Sequence, residues 1–267
     1  MERYKGYRIA VFVLALIVII ESSLLVYLWF NRGKKEIAKI PLTAPVVVGR
    51  IAIVLDDWGY SLNNLSVLKQ INYPVTLAVL PNLPQTKTIS REARRLKFEV
   101  ILHLPMEPLE KINLERNTVM ASMTEKEIKD ILAADLESVI YARGVSNHMG
   151  SKVTKDSRAM SIVFDELGKR GLYFLDSYVS LDSVCPELAA KMKLGFAIRD
   201  IFLDNQSDPE YIRGQIDKLK VSAKANGYAI GIGHDRKITL QVLREIMPEL
   251  RKEGYKLVRV SELIDRK

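Results

Sequence analysis

The sequence predicts an α/β protein: a parallel β-sheet covered by helices and preceded by one apolar helix. Three observations carry this expectation. Eight short apolar runs rich in β-branched residues occur at 51–55, 75–80, 98–104, 144–148, 172–176, 197–203, 228–233 and 256–260. Stretches of helical period separate them, the alternation of parallel strands joined by helical crossovers. Ahead of them all, the first 30 residues hold a long apolar segment with one charge, Glu21, inside it.

That segment runs unbroken from Ile9 to Ile20 and resumes from Leu24 to Phe30. Together these give about 22 residues, against about 20 needed to cross a hydrocarbon core. Arg3, Lys5 and Arg8 precede it, and Arg32, Lys34, Lys35 and Lys39 follow. With both flanks basic, charge casts a weak vote on orientation. No small-residue cleavage pattern closes the run, so an uncleaved membrane anchor over 1–30 is expected rather than a cleaved signal. Residues 31–49 carry charges, Pro41, Pro45 and no periodicity, the composition of a linker. A single domain is expected over 50–267, a comfortable length for one β/α barrel.

Within that domain the helices announce their own ends. Ser61 opens LNNLSVLKQI, and Thr86 precedes ISREARRLK. Thr124 with Glu127 forms a capping box for the next helix. Asp156 is placed to cap SRAMSIVFDELGKR, which Gly171 stops. Asp208 followed by Pro209 is an N-cap with proline at the first helical position. Gly227 and Gly254 stand where helices end.

Composition removes some function classes. The formal charge is +8. Residues 1–49 hold seven Lys/Arg and three Asp/Glu, so half of that charge lies outside the domain. What remains is spread over helix faces, so nucleic acid is not expected as a partner. The single cysteine, Cys185, cannot form an internal disulfide and reads as a small apolar filler. No dinucleotide fingerprint, phosphate-binding glycine loop, nucleophile elbow or H-E-x-x-H is present.

The chemistry concentrates at strand ends, which share one face in parallel β/α proteins. RIAIVLDDWG ends in Asp56 and Asp57. Two adjacent carboxylates cannot both point into a core without large cost. At a strand end their side chains diverge, so one can bind a metal while the other faces substrate. HLPMEP sets His103 and Glu107 four apart between prolines, on a rigid loop rather than a helix. Imidazole with carboxylate suits zinc or a similar divalent cation, and Glu107 serves as a ligand, holds the loop, or orients His103. NHMGS places Asn147 and His148 at another strand end, and GIGHD places His234, with Asp235 able to orient its ring. Gly231 and Gly233 allow close backbone approach there. Asp176 and Ser177 in FLDS, with Asp204 and Asn205 in FLDN, add polar groups at the same rim. Trp58 and Tyr60, beside the Asp pair, are candidates to stack on a sugar ring or to pack the barrel mouth.

IAIVLDDWGY, VTLAVLPNLP, EVILHLPMEP, GVSNHMGS, GLYFLDS and GIGHDRKITL, in that order, resemble the divergent polysaccharide deacetylase family. The resemblance covers essentially 50–267. It implies a distorted (β/α) barrel of about seven parallel strands, so one of the eight runs lies outside the ring or at an edge. It implies Asp56 as general base, Asp57 and His103 as metal ligands, and His234 as general acid. Mainstream members carry a second metal histidine where this chain has Glu107, and His148 is the candidate to fill that vacancy. Trp58, Asn147, Asp176, Ser177 and Asp235 are then the expected substrate-binding residues. The implied cofactor is a divalent metal, zinc by ligand type. The implied activity is hydrolysis of N- or O-acyl groups on a cell-envelope glycan, by a single-pass membrane protein with its domain outside the cytoplasm. The alternative is a non-catalytic glycan-binding or scaffold domain with a degenerate metal site.

Overall fold

The computed structural model describes residues 2–32 and 47–264. Most of the expected linker, 33–46, lies outside the described residues. Helix α1 (Glu2–Arg32) is continuous. Its stretch Tyr4–Arg32 contains an 18-residue window with a mean hydropathy of 2.8, and it is long and apolar enough to cross a membrane. The Ser23 hydroxyl donates to Ile19 O at 2.7 Å, so even this polar side chain is satisfied within the helix.

From residue 49 strands and helices alternate. The order is β1 (Gly49–Trp58), α2 (Leu65–Leu68), β2 (Thr76–Val79), α3 (Thr86–Arg95), β3 (Glu99–Met106) and α4 (Glu125–Ser138). Then come β4 (Gly144–Met149), α5 (Ser157–Lys169), β5 (Tyr173–Asp176), α6 (Cys185–Met192), β6 (Phe196–Ile198) and β7 (Ile201–Phe202). The chain ends with α7 (Pro209–Asn226), β8 (Tyr228–His234), α8 (Lys237–Lys252) and β9 (Tyr255–Val258). Every ladder is parallel, in the order β6-β5-β4-β3-β2-β1-β8-β7.

The two ends of that order are consecutive in sequence. Arg199 N donates to Asp176 O on β5 at 3.0 Å, and Asp200 N donates to Ile230 O on β8 at 2.9 Å. The run expected as one strand, 197–203, is therefore handed from β5 to β8 at Arg199–Asp200, and the parallel sheet curls into a distorted ring of seven segments. The eighth run is the one left over. β9 pairs β1 at Gly49–Ala52, while β8 occupies the other edge of β1 and β2 pairs it from Val54 onward. β9 thus fills the space beneath β2.

Alternation along β1 explains its near-continuous apolarity. Ile51, Ile53 and Leu55 belong to the core between sheet and helices, and Ala52 and Val54 to the interior of the ring. Strands buried on both faces read this way. The helix ends follow their signals. Thr124 and Glu127 make the full capping box, and Asp156 and Asp208 accept from Ala159 N and Tyr211 N at 2.8 and 2.7 Å. Gly227, at φ +81°, closes α7 in the left-handed region. Two starts differ from expectation. The segment after Ser61 forms only the short α2. Thr86 is the first residue of α3 rather than its cap, because its hydroxyl is committed to Leu80 O at 2.7 Å.

Candidate metal centre

The end of β1 is irregular, and that irregularity builds the site. The register with β2 shifts between Leu55 and Trp58, and Asp57 has φ +66°. A bulge with a left-handed residue re-aims a side chain that a regular strand would send to the opposite face. The two carboxylates therefore converge instead of diverging as expected. Asp56 Oδ2 and Asp57 Oδ1 lie 3.5 and 3.4 Å from His103 Nε2. Met149 and Tyr178, at or just beyond the ends of β4 and β5, also have positive φ. Backbone strain of this kind collects where side chains must be held off their default directions.

Neighbouring strands supply the partners. His103 on β3 is in register with Ser146 on β4, and its Nδ1 lies 2.8 Å from Ser146 Oγ. His148 follows Ser146 by two residues, so it faces the same side of β4. Its ring stands edge-on to that of His103 at 4.9 Å, with Nδ1 3.2 Å from Asp57 Oδ1. Asp57, His103 and His148 thus bring one oxygen and two nitrogens within 4.8 Å of one another, the ligand-type group among the described residues.

This set fits a divalent cation. Asp57 Oδ1 is buried, accepts no hydrogen bond, and sits between the two imidazole nitrogens. With Ser146 engaging His103 Nδ1, Nε2 is the atom turned toward both carboxylates. A buried carboxylate oxygen and two ring nitrogens converging on one space without a hydrogen bond between them is an arrangement that a bound cation would tie together. Burial opposes ionisation of Asp57, but His103 and His148 outweigh it and hold its carboxyl far below the usual range. At Asp56 burial wins over His103 and pushes the carboxyl up. Asp56 Oδ1 is likewise buried without a partner.

His234 stands directly opposite Asp56 in the β1–β8 register. Its ring partner is Asp204, not Asp235 as expected. His234 Nδ1 lies 2.7 Å from Asp204 Oδ1, while His234 N and Thr239 Oγ1 donate to Asp204 Oδ2 at 2.9 and 2.6 Å. Gly233 permits this approach, since a Cβ there would lie 2.9 Å from Thr239 Cγ2. Burial works against the imidazolium, but Asp204 more than offsets it and raises the His234 pKa. Phe202 stacks on the His234 ring at 6.1 Å, and the Arg199 guanidinium lies 3.7 Å over Phe202.

Several expected residues do other work. Glu107 is not brought to the metal group. Its carboxylate is taken by Lys152 Nζ at 2.6 Å and Ala121 N at 2.9 Å, which braces the loop after β3. Trp58 is completely buried, so its faces belong to the core. Asn147 accepts from Ser177 N and donates to Met149 O, and Ser177 Oγ donates back to Asn147 O. Asp176 accepts from Tyr178 N and Ser183 Oγ. Asn147 and Ser177 thus lock the ends of β4 and β5 together, and Asp176 holds the loop that follows β5. Asp235 accepts from Asn64 at 2.8 Å, and burial pushes its carboxyl up to about 6. The exposed aromatic beside the site is Tyr60, whose hydroxyl is bonded to Glu115. Ser146 and Lys152 went unremarked in the sequence. Ser146 was legible in principle, two residues before His148 on the same face.

Comparison with known proteins agrees with this architecture. The model of the divergent polysaccharide deacetylase family matches residues 53–264. The uncharacterized protein YibQ of Escherichia coli K12 is 35% identical over 228 residues, covering 85% of this chain and 71% of YibQ. The crystal structure of the uncharacterized protein ATU2773 from Agrobacterium tumefaciens C58 superposes with a TM-score of 0.76 at 27% identity, over 80% of this chain and 89% of that one. A family 4 carbohydrate esterase from Streptomyces lividans, solved with acetate, gives 0.52 at 15% identity over 81% and 95% of the two chains, a likeness of fold.

Proposed function

The chain belongs to the divergent polysaccharide deacetylase family, and we propose that it is a membrane-anchored, metal-dependent hydrolase that removes N- or O-acyl groups from a cell-envelope glycan. In this reading residues 1–30 anchor the protein, 31–49 link, and 50–267 form a catalytic domain outside the cytoplasm. The observation that carries the chemistry is the buried Asp57 Oδ1, which has no hydrogen bond and lies 3.4 and 3.2 Å from the ring nitrogens of His103 and His148.

Asp57, His103 and His148 would hold the metal, zinc by this oxygen and nitrogen donor set, leaving a position open. A metal in such a site lowers the pKa of water and polarises an acyl oxygen. Asp56, with a free buried oxygen and a carboxyl pushed up by burial, takes the proton from the attacking water. The water oxygen adds to the acyl carbon, and the bond from that carbon to nitrogen or oxygen breaks. His234 supplies the proton to the departing amine or alkoxide from Nε2, because Asp204 occupies Nδ1 and supports the charged ring. Asp56 and His234 are cross-strand neighbours at adjacent strand ends, a placement that supports their acting on one reacting carbon.

The test is acyl release from amino-sugar oligomers and esters by the purified protein loaded with zinc, cobalt or nickel. Release that depends on metal and on Asp56 supports the reading. Binding of an envelope glycan with no release from any of them supports the alternative, a glycan-binding domain; the displacement of Glu107 from the ligand group is the observation that keeps that alternative in view.

A further inference from the structure

The outer surface of the domain is uneven in one respect. Among the described residues from Val47 onward, twelve large apolar side chains are exposed, and seven of them lie in three loops at the C-terminal ends of strands. The loop after β1 carries Tyr60 and Leu62, and the loop after β3 carries Leu109, Ile112 and Leu114. The loop after β5 carries Val179 and Leu181, the latter 85% exposed. The other five are scattered singly, which is ordinary for a soluble surface. Apolar residues gathered on the loops around one mouth are not.

Tyr60 and Glu115 are hydrogen-bonded, so the first two loops are tied together. The third is fastened by Lys155 to Asp182 at 2.7 Å. These side chains therefore stand out from braced loops. Charges between them alternate in sign, as in Glu110, Lys111, Glu115 and Arg116, so no strongly charged partner is favoured. The apolar groups sit on separate loops with polar residues between them, a pattern that suits a soft surface into which single side chains insert.

We propose that this mouth is a lipid-docking face, with Leu109, Ile112 and Leu181 inserting into the bilayer interface beside the site. The inference rests on the reading of α1 as a membrane anchor. Residues 33–46 separate α1 from the first described residue of the domain. Fully extended they span at most about 50 Å. The domain is thus confined close to a bilayer, and modest apolar insertion suffices for docking, as a second signal does for other anchored proteins. Docking would present the site to glycans carried at the membrane surface.

Brominated-lipid quenching on the full chain, reconstituted in vesicles of phosphatidylethanolamine and phosphatidylglycerol, tests this. A dye is placed at Leu181→Cys, at Ile112→Cys, or at Val221→Cys on α7 as the remote control. Cys185 is buried with its thiol pushed up to about 12, so the introduced cysteine takes the label. The two tryptophans provide the internal reference, because Trp29 lies in α1 and Trp58 in the core. The expected result is quenching several-fold stronger at 181 and 112 than at 221, with Trp29 quenched as well. If Trp29 is quenched but 181 and 112 are not, the anchor stands, the lipid face is overturned, and the apolar loops belong to a protein partner or the substrate. Equal quenching at all three sites overturns a specific face. Failure of the protein to float with the vesicles removes the anchor reading and this inference with it.

Discussion

The barrel buries carboxylates at both ends, and Glu99 at one end is treated in the opposite way from the Asp56–Asp57 pair at the other. At its floor, Glu99 begins β3, and its Oε1 accepts from Thr76 Oγ1, Tyr173 OH and Ser261 N at 3.1, 2.9 and 3.2 Å. That carboxylate fastens the C-terminal segment under the ring. At the mouth, Asp56 and Asp57 each keep a buried oxygen with no hydrogen bond, and Asp57 occupies a left-handed backbone conformation. A buried charge is tolerable when its acceptors are filled and costly when they are not. The satisfied end holds the fold, and the unsatisfied end is poised to bind. Mutations should therefore separate stability from chemistry along the barrel axis.

The largest effect is expected at the mouth. Asp56→Asn keeps size and hydrogen bonding but cannot take a proton, so turnover in acyl release should fall by roughly 10²–10⁴ with metal still bound. Its unfolding midpoint should stay at or above that of the wild type, since a buried carboxylate without a full set of partners is removed. A matching loss of stability would break the contrast. Glu99→Ala is the converse, removing the acceptor that three donors share at the floor. It should cost about 2–4 kcal/mol in denaturant unfolding and leave metal content unchanged.

Ser146→Ala tests how the mouth is supported. Without the contact to His103 Nδ1, metal affinity measured by chelator competition should drop roughly 10–100-fold. An unchanged affinity would mean that packing alone orients His103. The smallest effect concerns Asp135 on α4, an intermediate case that is buried yet accepts from Asn82 at 2.6 Å. Burial pushes its carboxyl from an ordinary 3.8 up to about 7. The native state then binds this proton more tightly than the unfolded chain. Its contribution to stability is full below the unfolded pKa and is lost as pH rises through the native one. Thermal midpoints should fall between about pH 4 and pH 7 by the equivalent of about 1–3 kcal/mol, and Asp135→Asn should flatten that slope.

Much of this could be read from the chain, and the failures have a common cause. The strand runs were visible because residues buried on both faces of a parallel sheet leave long apolar signatures. Caps such as Thr124 and Asp208 are local and were equally legible. The Asp pair and the three histidines stood out because polar residues ending apolar runs must face a rim. What a linear reading lacked was register and backbone irregularity. The bulge at Asp57 turns two diverging carboxylates into converging ones. Asp204 reaches His234 only because β7 and β8 are adjacent, although the two are 30 residues apart in sequence. Glu107 is drawn off by Lys152, 45 residues away. A polar residue at a rim has two uses, and register decides which side chains also hold the loops: Asn147 and Ser177 bond each other, and Asp176 bonds Tyr178 N and Ser183 Oγ.

The central claim is that the unsatisfied end of the barrel is a metal site made by Asp57, His103 and His148. Metal content of the full chain, purified without chelators, tests it most directly when wild type and His103→Ala are compared side by side. About one equivalent of zinc or another divalent transition metal is expected per wild-type chain. None is expected in the variant, whose circular dichroism should remain that of the folded protein. A wild type that retains no metal when supplied with it, or a variant that retains as much as the wild type, would contradict the account.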